Sequence, residues 1–227
     1  MDNRPLLIIT ARASSKRLPN KVLLPIYGTL SILEFIILRM RTRYETSRLV
    51  VTTSNKRCDN QIEKLCADND VKVVRGPENN VIKRMKMCLD EEQQVTYVGR
   101  ITADNPLTDP DLIIQQVNAM RDTNVDYSYC YSSPIGSSID LWTKESFETT
   151  FLNSITPQEK EHVNVWTREN KQQKKLNFTP KSSMISKEIS LTVDTKDEYE
   201  FIKNIINSQK NPIETKIEHL IKQIKTN

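Results

Sequence analysis

Four cations, Arg12, Lys16, Arg17 and Lys21, lie in the string Thr-Ala-Arg-Ala-Ser-Ser-Lys-Arg-Leu-Pro-Asn-Lys that follows the apolar run Leu6 to Ile9. No acidic residue interrupts the chain between Asp2 and Glu34. A buried strand that opens into a loop of small residues lets a phosphate chain approach backbone amides and cations together. A nucleoside triphosphate fits that combination best; the plainer alternative is a solvated basic loop.

Two aspartates extend the chemistry. Asp104 and Asp194 each follow an apolar run at the expected carboxyl end of a strand, and two hard carboxylates suit magnesium. Either alone would serve equally as a helix cap or turn residue. Asp109, directly before Pro110, reads as an N-cap. His162, one of two histidines, could bind an anion or take a proton, against the bland reading of a surface or packing residue.

Elements that could hold these residues in place follow from the apolar patterning. Strands are expected at Leu6 to Thr10, Leu49 to Thr53, Val71 to Val74, Val95 to Ile101, Tyr127 to Tyr131 and Leu191 to Val193. Helical spacing marks Ser31 to Arg43, Arg57 to Asp68, Asn80 to Glu92, Asp109 to Arg121, Lys196 to Ser208 and Ile213 to Lys225. This βαβ succession implies an α/β fold, a largely parallel sheet covered on both faces, with the ligand at the carboxyl ends of the strands. From about residue 132 to 190 the pattern is irregular, and about 132–180 is expected to carry acceptor specificity and subunit contacts. Trp142, Phe147, Phe151 and Trp166 fall there, outside the alternating core, and would form an apolar patch best covered by a twofold partner.

Composition narrows the class. The chain has 227 residues, 37% hydrophobic and 27% charged, enough for one domain over 1–227 without disulfides or structural metal. Cys58, Cys66, Cys88 and Cys130 show no zinc or disulfide spacing, which points to free thiols and a cytoplasmic setting. No apolar run approaches the length of a membrane span. A net charge of +4 argues for a local anionic pocket rather than a nucleic-acid coat.

The only glycines are Gly28, Gly76, Gly99 and Gly136, so neither the dinucleotide fingerprint nor the P-loop can be written in this chain. The residue 10–21 loop instead resembles the signature of bacterial cytidylyltransferases, those of acylneuraminate and 3-deoxy-manno-octulosonate included. The subgroup named after the spore-coat polysaccharide biosynthesis protein F is most similar. Lys21-Val-Leu-Leu-Pro, Val74-Arg75-Gly76 with Asn80 to Arg84, Arg100-Ile-Thr-Ala-Asp-Asn-Pro-Leu-Thr-Asp-Pro110, Glu161-His-Val163 and Leu191-Thr-Val-Asp-Thr195 continue that resemblance in order. Asn20 and Ala103 stand where the family commonly has Gly, and Asn79 and Asn80 where acidic residues often occur.

The resemblance implies a Rossmann-like nucleotidyltransferase fold of the GT-A-like kind, a three-layer sandwich around a mainly parallel mixed sheet. It implies attack by an acceptor oxygen on the α-phosphate of CTP, pyrophosphate release, Mg2+ as cofactor, a homodimer and a role in surface glycan synthesis. On that basis Arg12 and Lys21 hold the triphosphate, the Ala11, Arg12, Ala13 and Ser14 amides cradle it, and Arg17 assists while Lys16 stays solvated. Asp104 and Asp194 bind the metal. Arg75, Asn80 and Arg84 join the nucleotide site, and Arg100, Gly136, His162 and Arg168 meet a small anionic acceptor such as a sugar acid. Two alternatives are a metal-dependent glycosyltransferase-like enzyme and a non-catalytic nucleotide-binding protein of the same fold.

Overall fold

The computed structural model describes residues 5–226. In chain order the elements are β1 (Leu6–Thr10), β2 (Pro25–Tyr27), β3 (Leu30–Ser31), α1 (Ile32–Arg41), β4 (Leu49–Ser54), α2 (Asn60–Asp68), β5 (Lys72–Gly76), α3 (Val81–Asp90) and β6 (Tyr97–Thr102). There follow α4 (Pro110–Thr123), β7 (Tyr127–Tyr129), β8 (Asp140–Thr143), α5 (Lys144–Asn153), α6 (Pro157–Glu161), α7 (Val165–Glu169), β9 (Lys175–Asn177), α8 (Lys196–Asn207) and α9 (Ile217–Thr226).

Seven strands form one sheet in the order β5-β4-β1-β6-β8-β7-β9, and β2 pairs with β3 in a separate ribbon. β5, β4, β1 and β6 are parallel; β8 runs antiparallel to β6 and to β7. The α/β class with a mixed, mainly parallel sheet is therefore as the sequence predicts. β1 shows why the fold has three layers. Leu7 and Ile9 join a core with α1, α4 and α8, while Leu6 and Ile8 join a second core with α3 and α5. Both faces of the strand are buried, so the run is continuously apolar rather than alternating.

Helix starts follow their capping residues. Ser31 and Glu34 form a capping box on α1, Thr195 and Glu198 another on α8, and Asp109 accepts from the Asp111 and Leu112 amides at the start of α4. Each cap satisfies amides that have no partner inside the helix.

Three expectations need correction. Leu191 to Val193 is not a ladder strand: Ser190 makes an isolated bridge to Ile135, and the Val193 amide donates to the Asp104 carbonyl at 2.8 Å. The irregular stretch contains β8 and β9, short strands whose pairing is long-range and leaves little periodicity. Finally, Trp142 and Phe147 are fully buried in the second core, with Phe151 packed against it and the Trp142 indole nitrogen donating to Thr167 Oγ1 at 3.0 Å. Three of the four aromatics that suggested a twofold partner thus belong to the chain's own interior, while Trp166 is half-buried outside both cores.

Candidate active site

The carboxyl ends of β1 and β6 open into a cavity of about 1200 Å3 lined by Arg12, Ser14, Lys21, Arg84, Arg100, Asp104, Glu161, His162 and Asp194, among others. Parallel register sets this mouth: Thr10 pairs with Thr102, and the Ala103 amide donates to the Thr10 carbonyl at 3.1 Å. Asp104 thus leaves the sheet beside the loop that leaves β1. Asn20, in that loop, has φ 56°. Asparagine tolerates this left-handed turn better than other non-glycine residues, which explains how the turn survives without Gly. Ala103 is absent from the positive-φ residues described, so its methyl causes no backbone strain.

Lys21 joins the two aspartates. Its Nζ donates at 2.9 Å to Asp104 Oδ2, to Asp194 Oδ1 and to the Val193 carbonyl. Side chains far apart in sequence therefore converge on one buried ammonium. Arg17 reaches the other oxygen of Asp194 at 2.8 Å. Burial alone would raise the Asp194 pKa, but the bonds and charges of Lys21 and Arg17 outweigh it and hold the carboxyl below its ordinary value.

Arg12 of the loop and Lys56 beyond β4 are also paired. Arg12 meets Glu161 at 2.9 Å, and Lys56 meets Glu78 at 2.5 Å, with Ser14 Oγ donating to the same carboxylate. Lys56 first, then Ser14, lowers the Glu78 pKa. Lys16 is exposed, as expected. A triphosphate entering here would replace carboxylates as the partner of each cation.

Not all of the expected amide cradle is free. The Ala11 amide donates to the Thr52 carbonyl and the Ala13 amide to buried Asp59, leaving the Arg12 and Ser14 amides without partners among the described residues. Asp59 also accepts from the Ser54 amide and hydroxyl. Burial opposes its charge, yet these donors keep its pKa below the ordinary value. Sequence reasoning missed Asp59 because its partners lie on two other segments; the Asp after Ser54-Asn-Lys-Arg-Cys gave no local signal beyond a turn.

Three expected nucleotide contacts lie elsewhere or act indirectly. Arg75 does not line the cavity; its guanidinium is committed to Ser54, Lys56, Asn60 and Glu63, because β5 directs it toward the start of α2. Asn80 caps α3 by accepting from the Lys83 amide, while its neighbour Asn79 lines the cavity. Arg84 is buried at the wall, where Nη1 donates to the Pro77 and Glu78 carbonyls. It shapes the segment that the nucleotide would meet.

A second cavity of about 370 Å3 adjoins the first and shares Arg100, Thr102 and Asn105 with it. Gly136 and Arg168 line this second cavity, and His162 lies at the first, with no side-chain hydrogen bond among the described residues. Gly136 has φ +89°, and a Cβ there would come within 2.9 Å of Asn105 Oδ1. Only glycine permits that approach without strain.

The two carboxylates fit a magnesium ion in chemistry, since both are hard oxygen donors at one point. Among the described residues no group of three or more metal-ligating side chains exists. Asp104 and Asp194 would hold the ion together with phosphate oxygens and water, and it would supply charge neutralisation at the phosphates.

A strand-end cation loop facing paired aspartates on a mixed sheet defines an α/β nucleotidyltransferase. The chain belongs to the cytidylyltransferase family, whose profile matches residues 6–224. It is 31% identical over 207 residues to the spore coat polysaccharide biosynthesis protein SpsF of Bacillus subtilis, covering 88% of this chain and 85% of that protein. A cytidylyltransferase structure from Leptospira borgpetersenii superposes with a TM-score of 0.88 at 27% identity, covering 97% of this chain and 93% of that one. Two more distant structures share the fold: a CMP-2-keto-3-deoxy-manno-octonic acid synthetase complexed with CTP (TM-score 0.64, 14% identity, 89% and 98% coverage) and a manganese complex of Rv0371c from Mycobacterium tuberculosis (0.59, 15%, 88% and 99%).

Proposed function

We propose that this enzyme transfers CMP from CTP to a small anionic acceptor, a sugar acid or similar, with release of pyrophosphate, in the synthesis of a surface glycan. The observation that carries this reading is the convergence of Lys21, Asp104 and Asp194 beside the β1 loop. The relatives support CTP and the polysaccharide setting: one is a spore coat polysaccharide biosynthesis protein and another a synthetase complexed with CTP.

In this reading the triphosphate lies in the first cavity. Lys21, Arg12 and Arg17 exchange their carboxylate partners for phosphate oxygens, and the Arg12 and Ser14 amides add directed donors. Asp104 and Asp194, released from Lys21, would be the residues to hold Mg2+, which would neutralise charge on the phosphates. The acceptor occupies the second cavity, so that its hydroxyl reaches the α-phosphate across the shared residues Arg100, Thr102 and Asn105. Rate enhancement comes from in-line placement and charge neutralisation, with no covalent enzyme intermediate. His162 borders the nucleotide cavity and not the second one, so the expected contact with the acceptor is not assigned to it. A homodimer through residues 132–180 rests on Leu152 and Ile155, each 75% exposed, and sedimentation at micromolar concentration tests it.

The deciding experiment is pyrophosphate release with each of the four ribonucleoside triphosphates against a panel of sugar acids, with and without Mg2+. Release with CTP, dependent on metal and acid, is expected. Release with another triphosphate alone, or none with any acid, contradicts the proposal.

A further inference from the structure

Two arginines line the second cavity, and their surroundings differ in kind. Arg168 is fully engaged: Nε donates to Tyr127 Oη at 2.9 Å, Nη1 to Tyr131 Oη at 2.8 Å and Nη2 to Asp140 Oδ1 at 2.9 Å. Its guanidinium also lies over the Tyr129 and Tyr131 rings, 5.1 and 4.9 Å from their centroids. Arg100 has no hydrogen bond or ion pair among the described residues, and its Nε is buried without a partner.

The contrast has a structural cause. Arg100 faces Asp140 across the antiparallel β6–β8 pair, close enough for an ion pair. Asp140 is taken by other donors: Tyr127 Oη and Arg168 at Oδ1, and Asn164 Nδ2 at Oδ2 at 2.7 Å. One positive charge in the cavity is thereby neutralised and the other is kept without a contact partner. Arg100 is half-buried, and the cost to stability falls on its Nε, which is shut off from water with no acceptor. Burial also lowers the Arg100 pKa from its ordinary value, against the pull of the surrounding carboxylates. Asn105 Oδ1 and Ser133 Oγ are further buried atoms without partners beside the same cavity.

We infer that Arg100 is the specificity-determining residue of the second cavity, pairing with a single negative charge on the acceptor, and that Arg168 is a positioning residue that never touches it. This rests on the acceptor reading above. One uncompensated cation matches a carboxylate rather than a phosphate dianion, and Asn105 Oδ1 and Ser133 accept or donate to hydroxyls on the same molecule. Arg168 holds the Tyr129 and Tyr131 wall and occupies Asp140, which keeps Arg100 available.

The test uses the full chain with CDP and Mg2+ in the first cavity, and follows the arginine Nε–H signals by NMR. The Arg100 signal is identified by its loss in Arg100→Lys and the Arg168 signal by its loss in Arg168→Lys. The probes are N-acetylneuraminate, 3-deoxy-manno-octulosonate and pyruvate, each beside its neutral methyl ester. At least one acid should shift the Arg100 signal saturably while the esters and the Arg168 signal stay silent. Arg100→Met should weaken acid binding about 10- to 100-fold, the value of a charge-assisted contact, and should raise the melting temperature of the ligand-free protein. Arg168→Lys should lower the melting temperature while leaving the acid-induced Arg100 shift in place. A saturable shift at Arg168, equal response to acid and ester, no response to any acid, or a lower melting temperature for Arg100→Met would each overturn the inference. Loss of the nucleotide reading is distinguishable, because it would show as no Mg2+-dependent binding of CDP in the same samples.

Discussion

The two cavities treat charge in opposite ways. Around the first, Arg12, Arg17, Lys21 and Lys56 are each paired with a carboxylate in the ligand-free protein. At the second, which shares Arg100 with the first, that arginine has no partner while the acid across from it, Asp140, is occupied by Tyr127, Asn164 and Arg168. A site for a highly charged ligand can keep its cations in pairs with carboxylates and exchange partners on binding, which avoids a dense positive loop in the empty state. A site for a small ligand has only one charge to offer, and pairing it internally would make discrimination weak. The difference shows that charge inventory alone does not identify a binding residue; what each charge is already bonded to does.

The comparison is broken most severely at the aspartates. Asp104→Asn should lower turnover by about two orders of magnitude, roughly 3 kcal/mol of transition-state stabilisation, with folding little changed. Steady-state kinetics at saturating Mg2+ checks it, and Asp194→Asn should behave alike. Near wild-type turnover in either variant would remove that residue from the metal site.

Asp59 sharpens the structural side of the first cavity. Asp59→Ala strips acceptors from the buried Ser54 and Ala13 amides, and the loss should be about 2–4 kcal/mol in denaturant unfolding. The pH dependence follows the same logic. Asp59 and Asp194 have folded pKa values below the unfolded value of about 3.9, so their stabilisation is fully present above about pH 4 and is lost as pH falls through the lower folded values. Acid unfolding of Asp59→Asn should be less steep than that of the wild type; an unchanged slope would show that this carboxylate carries none of the dependence.

Smaller effects separate the cations. Arg12→Ala should weaken CTP binding by about 10-fold, because a desolvated charge-assisted contact is lost. Lys16→Ala and Arg75→Ala should change it by less than about twofold, the first because its charge is screened in solvent, the second because its guanidinium points away from the cavity. Calorimetry that found equal losses for all three would mean that CTP senses only a diffuse positive field.

The parallel half of the sheet was legible in the sequence because strands buried on both faces leave unbroken apolar runs and their helices keep a regular period. β1, β4 and β6 fall within a few residues of expectation. Asp104 and Asp194 were legible because each ends a short apolar stretch, and Lys21 because the loop that carries it resembles the family signature. The antiparallel half was not: β8 and β9 are four and three residues long, too short to display a period, and the burial of Trp142 and Phe147 depends on α5 folding back over β8. Arg75 and Asn80 were expected at the ligand from the resemblance, and geometry gave them bracing and capping roles instead. Arg168 and Arg100 look equivalent in the sequence, and only their partners tell them apart.

The exchange of partners around Lys21 is the claim on which the account of the first cavity depends. Calorimetric titration of Lys21→Ala with CTP and Mg2+, beside the wild type, measures it directly. The account predicts a loss of CTP affinity of about 10- to 100-fold, together with measurable Mn2+ binding to the nucleotide-free variant that the wild type lacks, because Asp104 and Asp194 are freed from the ammonium. Unchanged CTP affinity with no gain in Mn2+ binding would contradict it.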